Sequence, residues 1–222
     1  MKCSYPIAEN DVYVFTLEPI DSKMYCIVKN HRALVIDPCL SEEVREFFFN
    51  RDILNATIFL THEHIDHISG VNMLRAICEC NVICSKKCAD YIKDIRTNGA
   101  YTFEAMYFMR SKKEYEEIRA LNLSNYICYA DTFFEKEQYY DWESLKIRCI
   151  EMPGHSPGGI VILVNDKHIF SGDNFIPGKP VITRLPGGSS KDYKNITKPF
   201  FEGLTEDCVI YPGHGNIIGK IQ

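Results

Sequence analysis

No apolar run in this sequence approaches the ~20 residues that a membrane-spanning helix needs, and the opening Met1-Lys2-Cys3-Ser4-Tyr5-Pro6 has no apolar core of a secretory signal. A cytoplasmic chain without a membrane partner is expected. A basic surplus is missing too. Lysine and arginine number 25 against 30 aspartates and glutamates, a formal net charge of -5, which argues against an extended surface for nucleic-acid phosphates. The short pairs Lys86-Lys87 and Lys112-Lys113 are not interleaved with aromatics as single-strand binders are. Repeats, linkers and low-complexity segments are absent. Ten cysteines are present, yet paired C-x-x-C knuckles are not. The tightest group, Cys78, Cys80, Cys84 and Cys88, is irregularly spaced and reads as small, partly buried, reduced thiols rather than a structural zinc site. Without a route to secretion, the sequons at Asn55, Asn122 and Asn195 carry no weight.

What is present suits one globular domain over residues 1–222, with 45% hydrophobic and 25% charged residues. Short apolar or alternating runs at 12–18, 24–29, 32–37, 57–61, 81–84, 144–152, 160–164, 168–171 and 208–211 read as strands. Asn30-His31 is placed as a hairpin turn, which leaves His31 a structural role. Helices are expected from Ser41 to about 51, after Gly70, from Ser85 to about 95, and over about 191–201. The stretch 97–129 is a separate, mixed helical segment whose aromatic and methionine cluster, Tyr101 to Met109, reads as a pocket wall or lid or, equally, as a packed helix face.

Five of the seven histidines fall in three places, each at the C-terminal end of an expected strand. Thr61-His62-Glu63-His64-Ile65-Asp66-His67 offers four ligand-type side chains within six residues, a density that points to metal. The others arrive on turns rich in glycine and proline: Pro153-Gly154-His155, Gly172-Asp173 and Pro212-Gly213-His214. Imidazole with carboxylate suits zinc, iron or manganese, whereas calcium and magnesium want more oxygen. His62 and His64 alternate on an extended turn, while Asp66 and His67 open the next helix and can face a second ion. Two divalent ions, zinc first, are expected. His168 lies inside a strand pattern and reads as structural.

In this order the motifs resemble the metallo-β-lactamase superfamily, in its H-x-H-x-D-H branch of glyoxalase II-like hydrolases and lactonases. The likeness runs from Val35-Ile36-Asp37-Pro38 to His214, nearly the whole chain. It implies an α/β fold, a four-layer αββα sandwich of two mixed sheets with helices outside. By motif position, His62, His64 and His155 would hold one metal, Asp66, His67 and His214 the second, and Asp173 would bridge them. Asp37 would orient ligands from behind, or simply cap a turn.

The chemistry implied is hydrolysis of a small-molecule ester, thioester or lactone. A hydroxide shared by two cations would attack the carbonyl, with Asp173 between the ions and Asp66 a candidate for protonating the leaving group. Glyoxalase II carries a C-terminal helical extension that helps bind glutathione. This sequence ends eight residues after His214, so another acyl compound is expected. The alternative is a mononuclear-iron persulfide dioxygenase; a nuclease-type phosphodiesterase stands behind both. No feature of the sequence specifies an oligomeric state.

Overall fold

The computed structural model describes residues 2–3, 5–108 and 111–219. Its first sheet takes strands in chain order: β1 (Val12–Leu17), β2 (Ser22–Lys29), β3 (Arg32–Ile36), β4 (Asn55–Phe59), β5 (Glu79–Ser85) and β6 (Thr132–Phe134). The first three pair antiparallel and the rest parallel. Asn30 and His31, with φ of 50° and 59°, form the tight turn that sets Lys29 against Arg32. The second sheet holds β7 (Glu137–Trp142), β8 (Leu145–Glu151), β9 (Ile160–Val164), β10 (His168–Gly172), β11 (Val209–Pro212) and β12 (Ile218–Gly219). It is mixed as well, because β10 and β11 run parallel inside an otherwise antiparallel ladder.

Side-chain parity makes the layers. Tyr25, Ile27, Leu34 and Ile36 project from β2 and β3 into the space between the sheets, where they meet Ile147, Cys149, Ile160 and Ile162. Their neighbours Met24, Cys26, Ala33 and Val35 face the other way, under helices. Those helices are α1 (Glu42–Asn50), which buries Val44, Phe47 and Phe48, then α2 (Ile65–Ile68), α3 (Val71–Arg75), α4 (Lys86–Tyr91), α5 (Ala100–Phe108) and α6 (Lys112–Ala120). Strand β9 is buried throughout, its Val161 and Leu163 meeting Phe201 on the outer face of the second sheet. Phe201 belongs to a helical run of α7 (Ser190–Asp192), a π turn (Tyr193–Thr197) and α8 (Lys198–Glu202). The result is the expected αββα sandwich of two mixed sheets. Among the described residues no helix is long and apolar enough to cross a membrane.

Some boundaries move. The helix from Ser85 starts as expected, with Ser85 Oγ accepting the Cys88 N–H, but it ends at Tyr91 rather than near 95. Thr97 Oγ1 donates to the Tyr91 carbonyl at 2.7 Å, and side chains that take last-turn carbonyls favour chain reversal over another turn. Ser41 sits at the N-cap of α1 with no side-chain cap bond. Strands β6, β7 and β12 were not expected from the pattern. The ten cysteines form no disulfide among the described residues.

The sandwich gathers one edge of both sheets. The chain leaves β3 into Asp37, β4 into Thr61-His62, β10 into Asp173 and β11 into His214, while an isolated bridge pairs Ser22 with His214. Gly70 locks this edge: its N–H donates to the Pro38 carbonyl at 2.8 Å, and a Cβ there would stand 2.6 Å from the Cys39 carbonyl oxygen and 2.8 Å from the Pro38 carbonyl carbon. Backbone on both sides leaves no flexible group to give way. Gly70→Ala is expected to cost about 1–3 kcal/mol, read as a lower urea midpoint at unchanged slope; an unchanged midpoint would refute this packing account.

Candidate metal centre

Four of the five imidazoles at the sheet edge are fixed from behind. His155 Nδ1 faces the Ile182 carbonyl at 2.8 Å, His214 Nδ1 the Ile20 carbonyl at 3.2 Å, His67 Nδ1 the Asp37 Oδ2 at 3.0 Å, and His62 Nδ1 the Thr61 Oγ1 at 3.0 Å. Carbonyl and carboxylate oxygens only accept, so these Nδ1 atoms carry the proton, and the lone pair of each Nε2 points forward. The Thr61 hydroxyl donates to Asp37 Oδ2 at 2.5 Å, which leaves its oxygen to accept from His62. Thr61 N–H donates to Asp37 Oδ1 at 2.7 Å. Asp37 thus ties the first two strand ends together and sets the His67 tautomer.

The forward-facing atoms crowd. His64 Nδ1 lies 3.1 Å from His62 Nε2 and 3.1 Å from His155 Nε2. His67 Nε2 lies 3.3 Å from His214 Nε2, with Asp66 Oδ2 3.4 and 3.3 Å from the two nitrogens. Asp173 sits between the groups, Oδ1 3.4 Å from His67 Nε2 and 3.5 Å from His214 Nε2, Oδ2 3.6 Å from His155 Nε2. Its Oδ1 is buried without a hydrogen-bond partner. The lone pairs of His67 and His214 aimed at each other, beside an orphaned carboxylate oxygen, make an arrangement that a bound cation would satisfy. The donor set fits metal: His62, His64 and His155 form one candidate group, and Asp66, His67 and His214 another. Asp37 also lies close to His62 and His67, but its oxygens already accept from Thr61 and His67.

All seven side chains proposed from sequence therefore converge, and Asp37 lies directly behind them. His31 is far from them in role, its Nδ1 facing the Asp52 carbonyl at the surface, and His168 Nδ1 faces the Tyr211 hydroxyl. Titration follows position. Burial, reinforced by the rings of His67, His64 and His155, holds His62 well below the usual histidine range. Burial with His155 pushes His64 down to about 3. Burial also opposes charge on His67 and His214, but the carboxylates of Asp66 and Asp173 outweigh it and raise both. Against the burial that would raise them, His67 and His214 hold Asp66 at about 2 and Asp173 well below the usual carboxylate range.

Other contributors were not visible as ligands. Glu63, the spacer between His62 and His64, is buried; its Oε2 accepts from Ser156 Oγ at 3.2 Å and so joins the first histidine loop to the loop of His155. Burial lifts its carboxyl to about 7. Ser22 Oγ donates to the Asp66 carbonyl at 2.9 Å. Gly213 is required by close approach, since a Cβ there would meet Asp173 Oδ1 and lie 2.8 Å from His67 Cε1. Above the cluster opens a cleft of about 410 Å³ reaching His64, Asp66, His155, Asp173 and His214. Helix α5 gives it Thr102, Phe103, Met106 and Tyr107, so this segment is a wall and, through buried Phe103 and Tyr107, also core. Tyr101 and Phe108 are exposed outside the cleft, and Met109 lies outside the described residues.

Comparison with known proteins gives the family and the fold. Residues 18–214 match the profile of the metallo-beta-lactamase superfamily. The chain is 23% identical over 199 residues to a probable metallo-hydrolase, YqgX, of Bacillus subtilis, covering 89% of this chain and 86% of that one. It is 25% identical over 213 residues to a hydroxyacylglutathione hydrolase of Dictyostelium discoideum, covering 91% of this chain and 65% of the relative. Among solved structures, the BLEG-1 B3 metallo-beta-lactamase superposes with a TM-score of 0.72 at 23% identity, over 94% of this chain and 93% of that chain.

Two outcomes are expected. In the metal-free chain, His62 and His64 stay neutral in the fold while unfolded histidines bind protons below pH ~6.5, so stability falls as pH drops, by about 1.4 kcal/mol per unit per group, the His64 window closing near pH 3. His67 and His214, raised in the fold, contribute stability below pH ~6.5 that is lost as pH climbs through their folded values. The urea midpoint after chelation should peak near pH 6.5, and saturating zinc should lift the alkaline limb, because metal competes with protons for the same nitrogens. A metal-free midpoint still rising at pH 8 would contradict this. Asp37→Ala removes the acceptor for Thr61 and His67 and should weaken metal binding about 10–100-fold in chelator competition, with the circular dichroism of the fold retained.

Proposed function

Because the chain belongs to the metallo-beta-lactamase superfamily, we propose that it is a metal-dependent hydrolase cleaving a small-molecule ester, thioester or lactone with two divalent ions, zinc first and iron or manganese next. The observation that carries the reading is Asp173: a half-buried carboxylate facing both histidine groups, its Oδ1 buried and without a hydrogen-bond partner, on the floor of a cleft. His62, His64 and His155 would hold one ion and Asp66, His67 and His214 the other, Asp173 touching both. Bound there, divalent ions supply Lewis-acid activation of water and of the scissile carbonyl at neutral pH.

The side chains supply the rest. The carbonyls of Ile20 and Ile182 and the Asp37 carboxylate keep the ring protons on Nδ1, so the forward nitrogens stay available without reorganisation. Asp66 lines the cleft and is held ionised. It would take the proton of the incoming water and pass it to the departing oxygen or sulfur. The relatives named hydroxyacylglutathione hydrolase act on an acyl derivative of glutathione, and this chain spans 65% of the Dictyostelium relative. The substrate is therefore proposed at the level of the bond, acyl to oxygen or sulfur.

The test is metal content by plasma mass spectrometry on chain purified without added metal, with a panel of thioesters, esters and lactones. About two ions per chain with turnover are expected, and Asp173→Ala should lose at least one ion and about 100-fold or more in kcat. One iron per chain without hydrolysis would replace the hydrolase with a persulfide dioxygenase. No bound metal would overturn both.

A further inference from the structure

The charge lining the cleft runs against that of the chain. Of 30 acidic residues, none reaches the cleft except Asp66 and Asp173, whereas two basic residues do, Arg96 and Lys179. Arg96 comes from the turn between α4 and α5, and Lys179 from the loop that follows β10, so the cations arrive on separate segments of chain. Neither has a carboxylate partner among the described residues, although Lys86, Arg75, Arg148 and Lys167 elsewhere do. The rest of the wall mixes polar Thr97, Asn98 and Thr102 with an apolar strip of Phe103 and Met106 from α5 and Ile182 and Leu185 from the loop after β10. Met106 is 48% exposed, so its side chain is open to a compound lying in the cleft.

Resting on the hydrolase reading above, we propose that the substrate is an anionic acyl compound: a thioester or ester with an apolar arm along Phe103, Met106 and Leu185 and a carboxylate or phosphate held between Arg96 and Lys179. Cations on low-dielectric walls concentrate their field in the cleft, so an anion is favoured there more than at an open surface. Guanidinium and ammonium both serve as donors to such a group. Apolar contact supplies affinity while the anion fixes direction, so the scissile carbonyl is presented to the floor in one orientation. A neutral substrate of the same length would gain the first contribution without the second.

The test separates binding from turnover. Three non-hydrolysable octyl thioethers, ending in a carboxylate, a phosphate or the carboxylate's methyl ester, are titrated by calorimetry into zinc-loaded full chain. At least one anionic probe should bind about ten-fold or more tighter than the ester, and the carboxylate and phosphate arms tell which anion the site takes. In R96A/K179A the preference should shrink to within about two-fold, while the exchanged pair R96K/K179R should keep most of it. Met106→Ala should weaken the octyl probes and leave ethyl analogues unchanged. Equal binding of charged and neutral probes by the unaltered chain overturns the proposal. So does a preference that survives in R96A/K179A, because the anion would then sit on the metal ions. The matching thioesters are assayed alongside. Turnover without anion preference would leave the hydrolase and remove this site; anion preference with no turnover of any thioester, ester or lactone would do the reverse.

Discussion

His64 Nδ1 stands 3.1 Å from the Nε2 atoms of both His62 and His155, and His67 Nε2 stands 3.3 Å from that of His214. Four of these rings are anchored through Nδ1, so the Nε2 atoms of His67 and His214 meet lone pair to lone pair, which a cation or an added proton reconciles. A buried acceptor left unsatisfied costs about 1–3 kcal/mol, and Asp173 Oδ1 is one. The arrangement persists because four of the five rings are gripped from behind by a group belonging to the sandwich rather than to the cluster. Strain of this kind, kept in place by surrounding structure, is preorganisation: the ligands need not move when an ion arrives.

The sandwich provides that grip through strand ends. Parallel pairing of β3 with β4 places Asp37 beside Thr61, and two hydrogen bonds from Thr61 hold it there. Parallel pairing of β10 with β11 does the same for Asp173 and His214, with the Gly213 N–H donating to the Gly172 carbonyl at 2.8 Å. In parallel neighbours successive strands end on the same side, so side chains far apart in sequence arrive at one edge. The two sheets meet through Tyr25, Phe170 and Tyr211, and the Tyr25 hydroxyl donates to the Pro212 carbonyl beside the His214 turn. The inter-sheet core is thus connected to the chemistry by direct contact.

Much of this was legible in the sequence, and the exceptions have physical causes. Strands such as β2, β3 and β9 could be found because burial on one or both faces leaves an apolar pattern. Strand β7 reads Glu-Gln-Tyr-Tyr-Asp-Trp, with only Trp142 buried and Tyr140 partly so, and β6 has three residues, two of them exposed. Such edge strands are specified by their neighbours, not by their own composition. The ligand set was legible because metal needs particular side chains at particular turns. The groups that orient the ligands were less so: Ile20 and Ile182 act through their carbonyls, which any residue would offer, and Glu63 looked like a spacer because its partner Ser156 is 93 residues away. Helix α5 was ambiguous for a real reason, since it is apolar on more than one face and serves as core and wall together.

Floor and walls of the cleft differ in what constrains them. The floor is bound to the sheets at nearly every residue, and a change at Gly70 or Gly213 meets backbone or a ligand at once. The walls come from the turn before α5, from α5 itself and from the loop after β10, where Arg96, Met106 and Lys179 are exposed. Altering these three exposed residues therefore costs little stability, whereas altering the floor, or the buried Phe103 and Tyr107 of α5, disturbs the sandwich. One fold can then keep its hydrolytic machinery while the bound compound is chosen by residues the fold scarcely constrains. This is why membership in the superfamily says much about the metal site and little about the substrate, and why the substrate must be argued from the charge and apolar surface of the walls.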